Sequence, residues 1–453
     1  MTAASFDAIG AVDRAALLAI VFSGAPVVLG ADGAATAVVL IVCLVAGMAS
    51  PLAATAAVVL ALPFTYRSVP IGGSVFSPLE LAIGLLVASH GLSALRRGRT
   101  TGPPGRARLL TGIGLPVIVF LAAATVSLAT VADPAHRHES LREYRLVIAE
   151  PILFYLSARL TLRMRHGRRV VAAALVAGGV VVAACAIAQL LLGLGVATDG
   201  VQRATVTYPH PNNLSFFLER VGTFAAGAAL VLQRSRWRAI VAGSALIVFL
   251  GVGATLSRGA VVSVIVGVAT LMLLTGRGRK VLVPSISMIG VIAILFTTLA
   301  SGRLIDLGGS GRWPTRFFIW RSSLAMALDH PLWGVGLDQF LYLYWRRYVE
   351  PGGWPERYTS HPHNLFLDLW LRVGILGAGA FAWVCTRGAH LARRSLSSGG
   401  LPAMPYVAGA TAALVTGLAH GMVDNGFFLP DVALMTWLFV AWLDAASHDR
   451  PNA

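Results

Sequence analysis

Charge is scarce in this chain: 12% of its 453 residues are Asp, Glu, Lys or Arg, against 56% hydrophobic, with a mean hydropathy of +0.74. A water-soluble domain is excluded by that balance, because soluble chains carry about a quarter charged residues. Lysine is nearly missing, with Lys280 the single one among 36 basic residues. Cysteine is limited to Cys43, Cys185 and Cys385, all inside apolar runs, which excludes a disulfide framework and suggests packing roles. No Asp-x-Asp motif is present, so a metal holding a nucleotide sugar is not expected, and no cofactor is implied.

What is there is a succession of apolar runs, each about the 17 to 25 residues needed to cross a bilayer. They lie near 15–31, 34–49, 52–66, 78–95, 112–131, 146–161, 170–194, 212–232, 238–256, 259–275, 281–300, 364–386, 403–421 and 427–446. The pairs around Pro51 and Arg258 have very short connections and could be re-entrant. The expected fold is therefore an all-α polytopic membrane helix bundle of about 12 to 14 transmembrane helices. Without a basic segment ahead of it, the run from Ala15 reads as a retained first span.

Arginine clusters at 96–108, 159–169, 234–238, 277–280 and 387–394 recur at one end of the runs, and the positive-inside rule puts them in the cytoplasm. The formal charge of +16 thus reports topology, and no nucleic-acid partner is expected. Both termini, including a tail at 447–453, should be cytoplasmic. Residues 301–362 form a long external loop with Arg303, Arg312, Arg316, Arg321, Arg346, Arg347 and Arg357 on the side that usually lacks them. Long loops escape the orientation rule, but so many guanidiniums want an anionic partner, whether lipid headgroups or a phosphorylated ligand. Within the loop, Arg316 to Leu328 has Phe317, Trp320, Leu324 and Leu328 at helical spacing, as in a helix lying along the interface. Trp333, Phe340, Tyr342, Tyr344 and Trp345 suit headgroup depth.

Three polar clusters sit at the external ends of spans. Ser360-His361-Pro362-His363-Asn364 brings an imidazole to a helix start, where His363 could take a proton from a hydroxyl or merely cap the helix or bind headgroups. Arg203 to Asn213 sets Arg203 and His210 at similar depth; His210 is a candidate ligand contact, while Asn212 or Asn213 suits the N-cap of the next span. Ser257-Arg258-Gly259-Ala260 carries an isolated arginine beside a glycine turn, fit either to snorkel or to bind phosphate. Glu80, Glu150, Glu219, Arg220, Asp368, Arg372 and Asp424 are costly inside spans and should line a cavity or pair with one another.

These clusters, in this order, resemble the O-antigen ligase and polymerase family of bacterial membrane glycosyltransferases from about Arg203 to Trp442. The matching pieces are Arg…His-Pro-Asn, Ser-Arg-Gly-Ala and His-Asn, then Arg316 to Trp320, Asp329-His330-Pro331-Leu332 with Gly334-Val335-Gly336, the Gly374 and Gly377 pair, and His420…Asp424 with Phe427 and Pro430. Arg372 departs from the pattern, standing where members often have glutamate, which bears on acceptor choice. The resemblance divides the chain into N-terminal helices at 1–200 and a family-like region at 201–446. It implies transfer of a glycan from a polyprenyl diphosphate carrier to an acceptor hydroxyl on the outer face of the bacterial cytoplasmic membrane. His363 would be the base, Arg203, His210, Arg258, Arg316 and Asn364 would bind substrate, and guanidiniums would replace a metal at the leaving group. The implied partners are a polyprenyl-diphosphate-linked oligosaccharide, a glycan or glycolipid acceptor and the bilayer. Asp32 is the only acid available in the first external loop and is given no role. A transporter or lipid-linked glycan flippase is the competing class; it would put its polar site near the midplane in two related halves, whereas here the charge gathers in one external loop.

Overall fold

The computed structural model describes residues 10–28, 42, 44–71, 73–96, 112–198, 201–233, 236–275, 312–397 and 403–447. The expected span at 281–300, most of that at 34–49, and Asp32, Cys43, Arg303 and Lys280 lie outside the described residues. Apolar composition without interior breaks gives the N-terminal helices α1 (Ala11–Val28), α2 (Pro51–Ala61), α3 (Pro78–Arg96) and α4 (Gly114–Ser127). Next come α5 (Arg137–Glu143), α6 (Glu150–Leu162) and α7 (Gly167–Leu191). A π-helical stretch, Tyr144–Ala149, joins α5 to α6, so the expected span at 146–161 is the inner part of a longer helical rod beginning at Arg137. Its first turns escape a hydropathy scan because Arg137, His138, Glu139, Arg142 and Glu143 are polar.

The second half contributes α8 (Pro211–Val231), α9 (Arg236–Ala254), α10 (Arg258–Thr275), α11 (Arg312–Asp329), α12 (Phe340–Leu343), α13 (Leu365–Ser397), α14 (Met404–Gly421) and α15 (Pro430–Ala446). Six of the described helices are long and apolar enough to cross a membrane: α3, α7, α8, α9, α10 and α13. The chain is thus an all-α, multi-pass membrane bundle. Two short antiparallel hairpins, β1 (Val69–Ile71) with β2 (Ser74–Phe76) and β3 (Val196–Thr198) with β4 (Val201–Arg203), fold two of the connections, a feature the sequence reading did not contain.

At the centre, α8 packs against α7, α9, α10 and α14, and α15 lies against α6 and α14. In lipid such packing is stabilised by close van der Waals fit more than by removal of apolar surface from water. Phe224 of α8 accordingly meets Trp442 of α15 at 4.8 Å between ring centroids. Charges are neutralised in place: Arg145 bridges Glu80 (2.7 Å) and Glu150 (3.3 Å), while Asp444 receives Arg159 at 3.5 Å and the Tyr155 hydroxyl at 3.2 Å. Of the costly charges expected to pair with one another, Glu80 and Glu150 instead share Arg145, which was not among them.

α13 is one helix by sequence and two by backbone, broken at Gly374 with φ 72. A Cβ there would stand 1.9 Å from the Leu332 carbonyl oxygen, so only glycine lets the 330–337 turn lie against the break. Val335 N donates to Leu371 O at 2.7 Å and Ile375 N to Pro331 O at 3.1 Å, satisfying backbone groups that the break sets free. The family-like Gly334-Val335-Gly336 and Gly374 pieces are therefore two halves of one contact. It fixes the N-terminal turns of α13, which His363 and Asn364 immediately precede.

Candidate functional site

Pro211 begins α8, and a proline at the first helical position leaves the preceding residue to cap. The N-cap is His210, whose Nδ1 accepts from Asn212 N at 3.1 Å; the expected asparagine cap is corrected on this point. Asn212 is thereby free to reach across the molecule, donating Nδ2 to Asp424 Oδ2 at 2.8 Å. Its Oδ1 accepts from Arg203 Nη2 at 2.9 Å, and Arg203, 4% exposed, also donates Nε to the Thr255 carbonyl at 2.7 Å. Asp424 lies in the connection between α14 and α15, not inside a span, because Gly421 and Gly426 loosen the chain on either side of it.

Asn364 caps α13, accepting from Phe366 N and Leu367 N at 3.1 Å each, and its Nδ2 donates to Met422 O at 3.1 Å. That strut holds the start of α13 against the Asp424 loop. His363, just before it, has φ 54, a left-handed conformation that costs a side-chain-bearing residue about 1 to 2 kcal/mol. The conformation turns its Nδ1 to Asp424 Oδ1 at 2.9 Å, and leaves Nε2 facing Glu356 Oε2 and Thr359 Oγ1, each at 3.3 Å. A continuous path, Arg203–Asn212–Asp424–His363, thus joins two of the three polar clusters picked out in the sequence. Arg316 donates Nη1 to the Val423 carbonyl, beside Asp424.

Burial opposes the charged form of His363, but hydrogen bonds to Asp424 and Glu356 carry the imidazole up from 6.5 to about 9, with Arg316 pushing the other way. Burial likewise acts to raise Asp424, yet the two imidazoles of His361 and His363 hold it well below the usual carboxylate range. His361 Nε2 is 3.6 Å from Asp424 Oδ1, an ion-pair distance longer than a hydrogen bond. Both shifts favour an imidazolium beside a carboxylate. His361, His363 and Asp424 bring one ligand atom each within 4.8 Å of one another and, among the described residues, could hold a divalent cation.

The third cluster arrives from the side. Ser257 Oγ accepts from Ala260 N at 3.4 Å at the start of α10, and Arg258 is exposed, with no hydrogen bond or ion pair among the described residues. Gly259 lies against His420 so closely that a Cβ would come 2.5 Å from its Nε2. His420 Nδ1 in turn pairs with Glu219 Oε2 at 2.7 Å, and Glu219 also receives Ser263 Oγ (2.9 Å) and Arg220 Nη1 (3.2 Å). The Ser-Arg-Gly-Ala piece and His420 are hence packed on each other, and Arg258 projects from that contact.

Arg372, the departure from the family pattern, is a buried hub. Nε donates to Asp368 at 2.7 Å, Nη1 to Glu143 and Nη2 to the Ser360 carbonyl at 3.2 Å, with the Phe428 ring 4.4 Å away. Asp368 passes the contact on to Asn425 Nδ2 at 2.6 Å, next to Asp424. Burial pushes the Glu143 carboxyl up to about 7 against the pull of Arg372. Glu356, Thr359 and Glu143 were missed in the sequence: each stands in a polar segment, and nothing in its neighbours marks it out.

Residues 243–382 match the family model described as O-antigen ligase. The exopolysaccharide production protein ExoQ of Rhizobium meliloti (strain 1021) is 26% identical over 196 residues, 40% of this chain and 44% of that protein. The chain thus spans less than half the length of that relative. Both findings are in line with the resemblance carried by the motifs, and the match to the O-antigen ligase model is confined to residues 243–382.

Proposed function

We propose that the chain transfers a glycan from a polyprenyl diphosphate to an acceptor hydroxyl at the outer face of the cytoplasmic membrane, with His363 as general base. The observation that carries this reading is the hydrogen-bonded path from Arg203 through Asn212 and Asp424 to His363, which engages Nδ1 and turns Nε2 to Glu356 and Thr359, side chains that an acceptor would displace. In the neutral form, Nδ1–H donates to Asp424 and the Nε2 lone pair faces the acceptor, which takes the place of Glu356. Nε2 removes the hydroxyl proton as the oxygen attacks the anomeric carbon. The bond from that carbon to the diphosphate breaks, and the diphosphate leaves with the electron pair.

Charge developing on the diphosphate calls for preorganised donors. Arg258, exposed and unpaired among the described residues, and Arg316, beside the Asp424 loop, are assigned that role. Arg203 spends two of its donors on Thr255 and Asn212, so it acts on the reaction mainly by holding Asn212. His210 and Asn364 set the two helix starts between which substrate must lie. The reaction is assigned no metal, because Asp424 is taken up by His363 and Asn212 and the guanidiniums meet the leaving group. Purified protein supplied with a lipid-linked repeat unit, with and without a second acceptor, tests the reading. Transfer that persists with chelator but disappears in His363→Ala, while donor binding survives, is the expected result; wild-type turnover in His363→Ala overturns it.

A further inference from the structure

Residues 344–359 carry a cluster of aromatic rings and guanidiniums that the reaction above does not use. Trp345, Trp354 and Tyr358 are 41%, 53% and 61% exposed. Trp345 and Tyr358 have ring centroids 6.1 Å apart, and the Arg357 guanidinium lies 5.0 Å from the Trp354 ring and 4.7 Å from the Tyr358 ring, tying the three together. Arg346 sits 5.3 Å over Trp345. Glu356 and Thr359, interleaved with these residues in the chain, meet His363 Nε2.

We propose that Trp345, Trp354 and Tyr358 form a stacking platform for the pyranose rings of the acceptor glycan, leading its terminal hydroxyl to His363 Nε2. The inference rests on the transfer reaction proposed above. Three observations favour a sugar over lipid headgroups as the occupant. Trp354 and Tyr358 flank Glu356 in the chain, and Glu356 and Thr359 meet the base at Nε2. Its exposed ring surface, carrying the negative side of the quadrupole, suits the electropositive C–H faces of sugars. The lipid-facing signature lies elsewhere, in the exposed, purely apolar Phe317, Leu324 and Leu328 of α11.

The test uses the full chain in nanodiscs and, as probe, the water-soluble oligosaccharide released by mild acid from the lipid-linked donor. Trp354→Ala with Tyr358→Ala should weaken probe binding about tenfold, the equivalent of about 1.4 kcal/mol, and raise the acceptor KM by a similar factor with kcat little changed. Trp354→Phe and Tyr358→Phe should restore both, which separates loss of the rings from misfolding. His363→Ala should bind the probe as wild type does. Unchanged probe binding and acceptor KM in the double variant overturn the platform while leaving the base assignment intact. Contact of a probe at Trp354→Cys with quenchers on lipid chains overturns it too, making these rings part of the interfacial belt. Full transfer by His363→Ala would instead remove the reaction on which the platform depends.

Discussion

Two histidine–carboxylate pairs stand within the same bundle, and they differ in what surrounds them. His420 and Glu219 meet at 2.7 Å, 1% and 0% exposed in their side chains, and the second imidazole nitrogen of His420 is closed off by Gly259. His363 and Asp424 meet at 2.9 Å, 16% and 11% exposed, and the second nitrogen of His363 opens to a loop. The chemistry of the pair is the same in both. What distinguishes them is exposure: the sealed pair ties α8 to α14 and supports α10, and the half-buried pair is the one assigned proton transfer in the proposed reaction.

The sharpest test of that contrast is His363→Ala, expected to lower turnover by roughly a hundredfold to ten-thousandfold with the protein still folded. Asp424→Asn should cost nearly as much, since the imidazole loses the partner that fixes its tautomer. His420→Ala should do the reverse: losing the buried hydrogen bond to Glu219, which Arg220 and Ser263 still hold, lowers the thermal midpoint, with turnover per folded molecule much less affected. If His420→Ala abolishes turnover at an unchanged midpoint, the distinction between sealed and open pairs is lost.

Arg258→Lys is expected to lose transfer about tenfold or more at normal expression, because an ammonium keeps the charge but not the two-pronged contact with phosphate; near-normal activity would make Arg258 a snorkelling residue. The smallest effect is on pH. With His363 raised to about 9, kcat/KM should climb from pH 6.5 and level off above about 9, and Glu356→Gln should move the inflection down. The stability from this histidine follows the opposite course: fully present below 6.5, it is lost as pH rises through about 9. The thermal midpoint of the wild type should therefore fall over that range more than that of Glu356→Gln.

Hydropathy made the bundle readable: the expected runs at 78–95, 259–275 and 403–421 correspond to Pro78–Arg96, Arg258–Thr275 and Met404–Gly421. Where polarity and span length part company, it failed. The run at 364–386 continues to Ser397 because the Arg387 to Arg394 segment is helical beyond its apolar part, and the break at Gly374 is a backbone event with no hydropathic trace. Motifs identified His363, Arg258 and Arg316 as candidates. They did not pair His363 with Asp424, 61 residues away, or Arg372 with Glu143, 229 residues away, since such partners are brought together only by helix packing.

Removing Arg372 would strand Asp368 and Glu143 and loosen both the Ser360 and the Asn425 contacts at once, so Arg372→Gln is expected to lower the thermal midpoint and turnover together.

Helix α11 carries Arg316 on the side of the site, and on its other side an exposed apolar stripe of Phe317, Leu324 and Leu328. Such a stripe acts as a float, settling at the depth where acyl chains give way to headgroups. In the proposed reaction the diphosphate of the donor rests at that same boundary. Thicker or thinner bilayers would then raise or lower float and substrate together, keeping Arg316 level with the phosphate without any loop having to stretch.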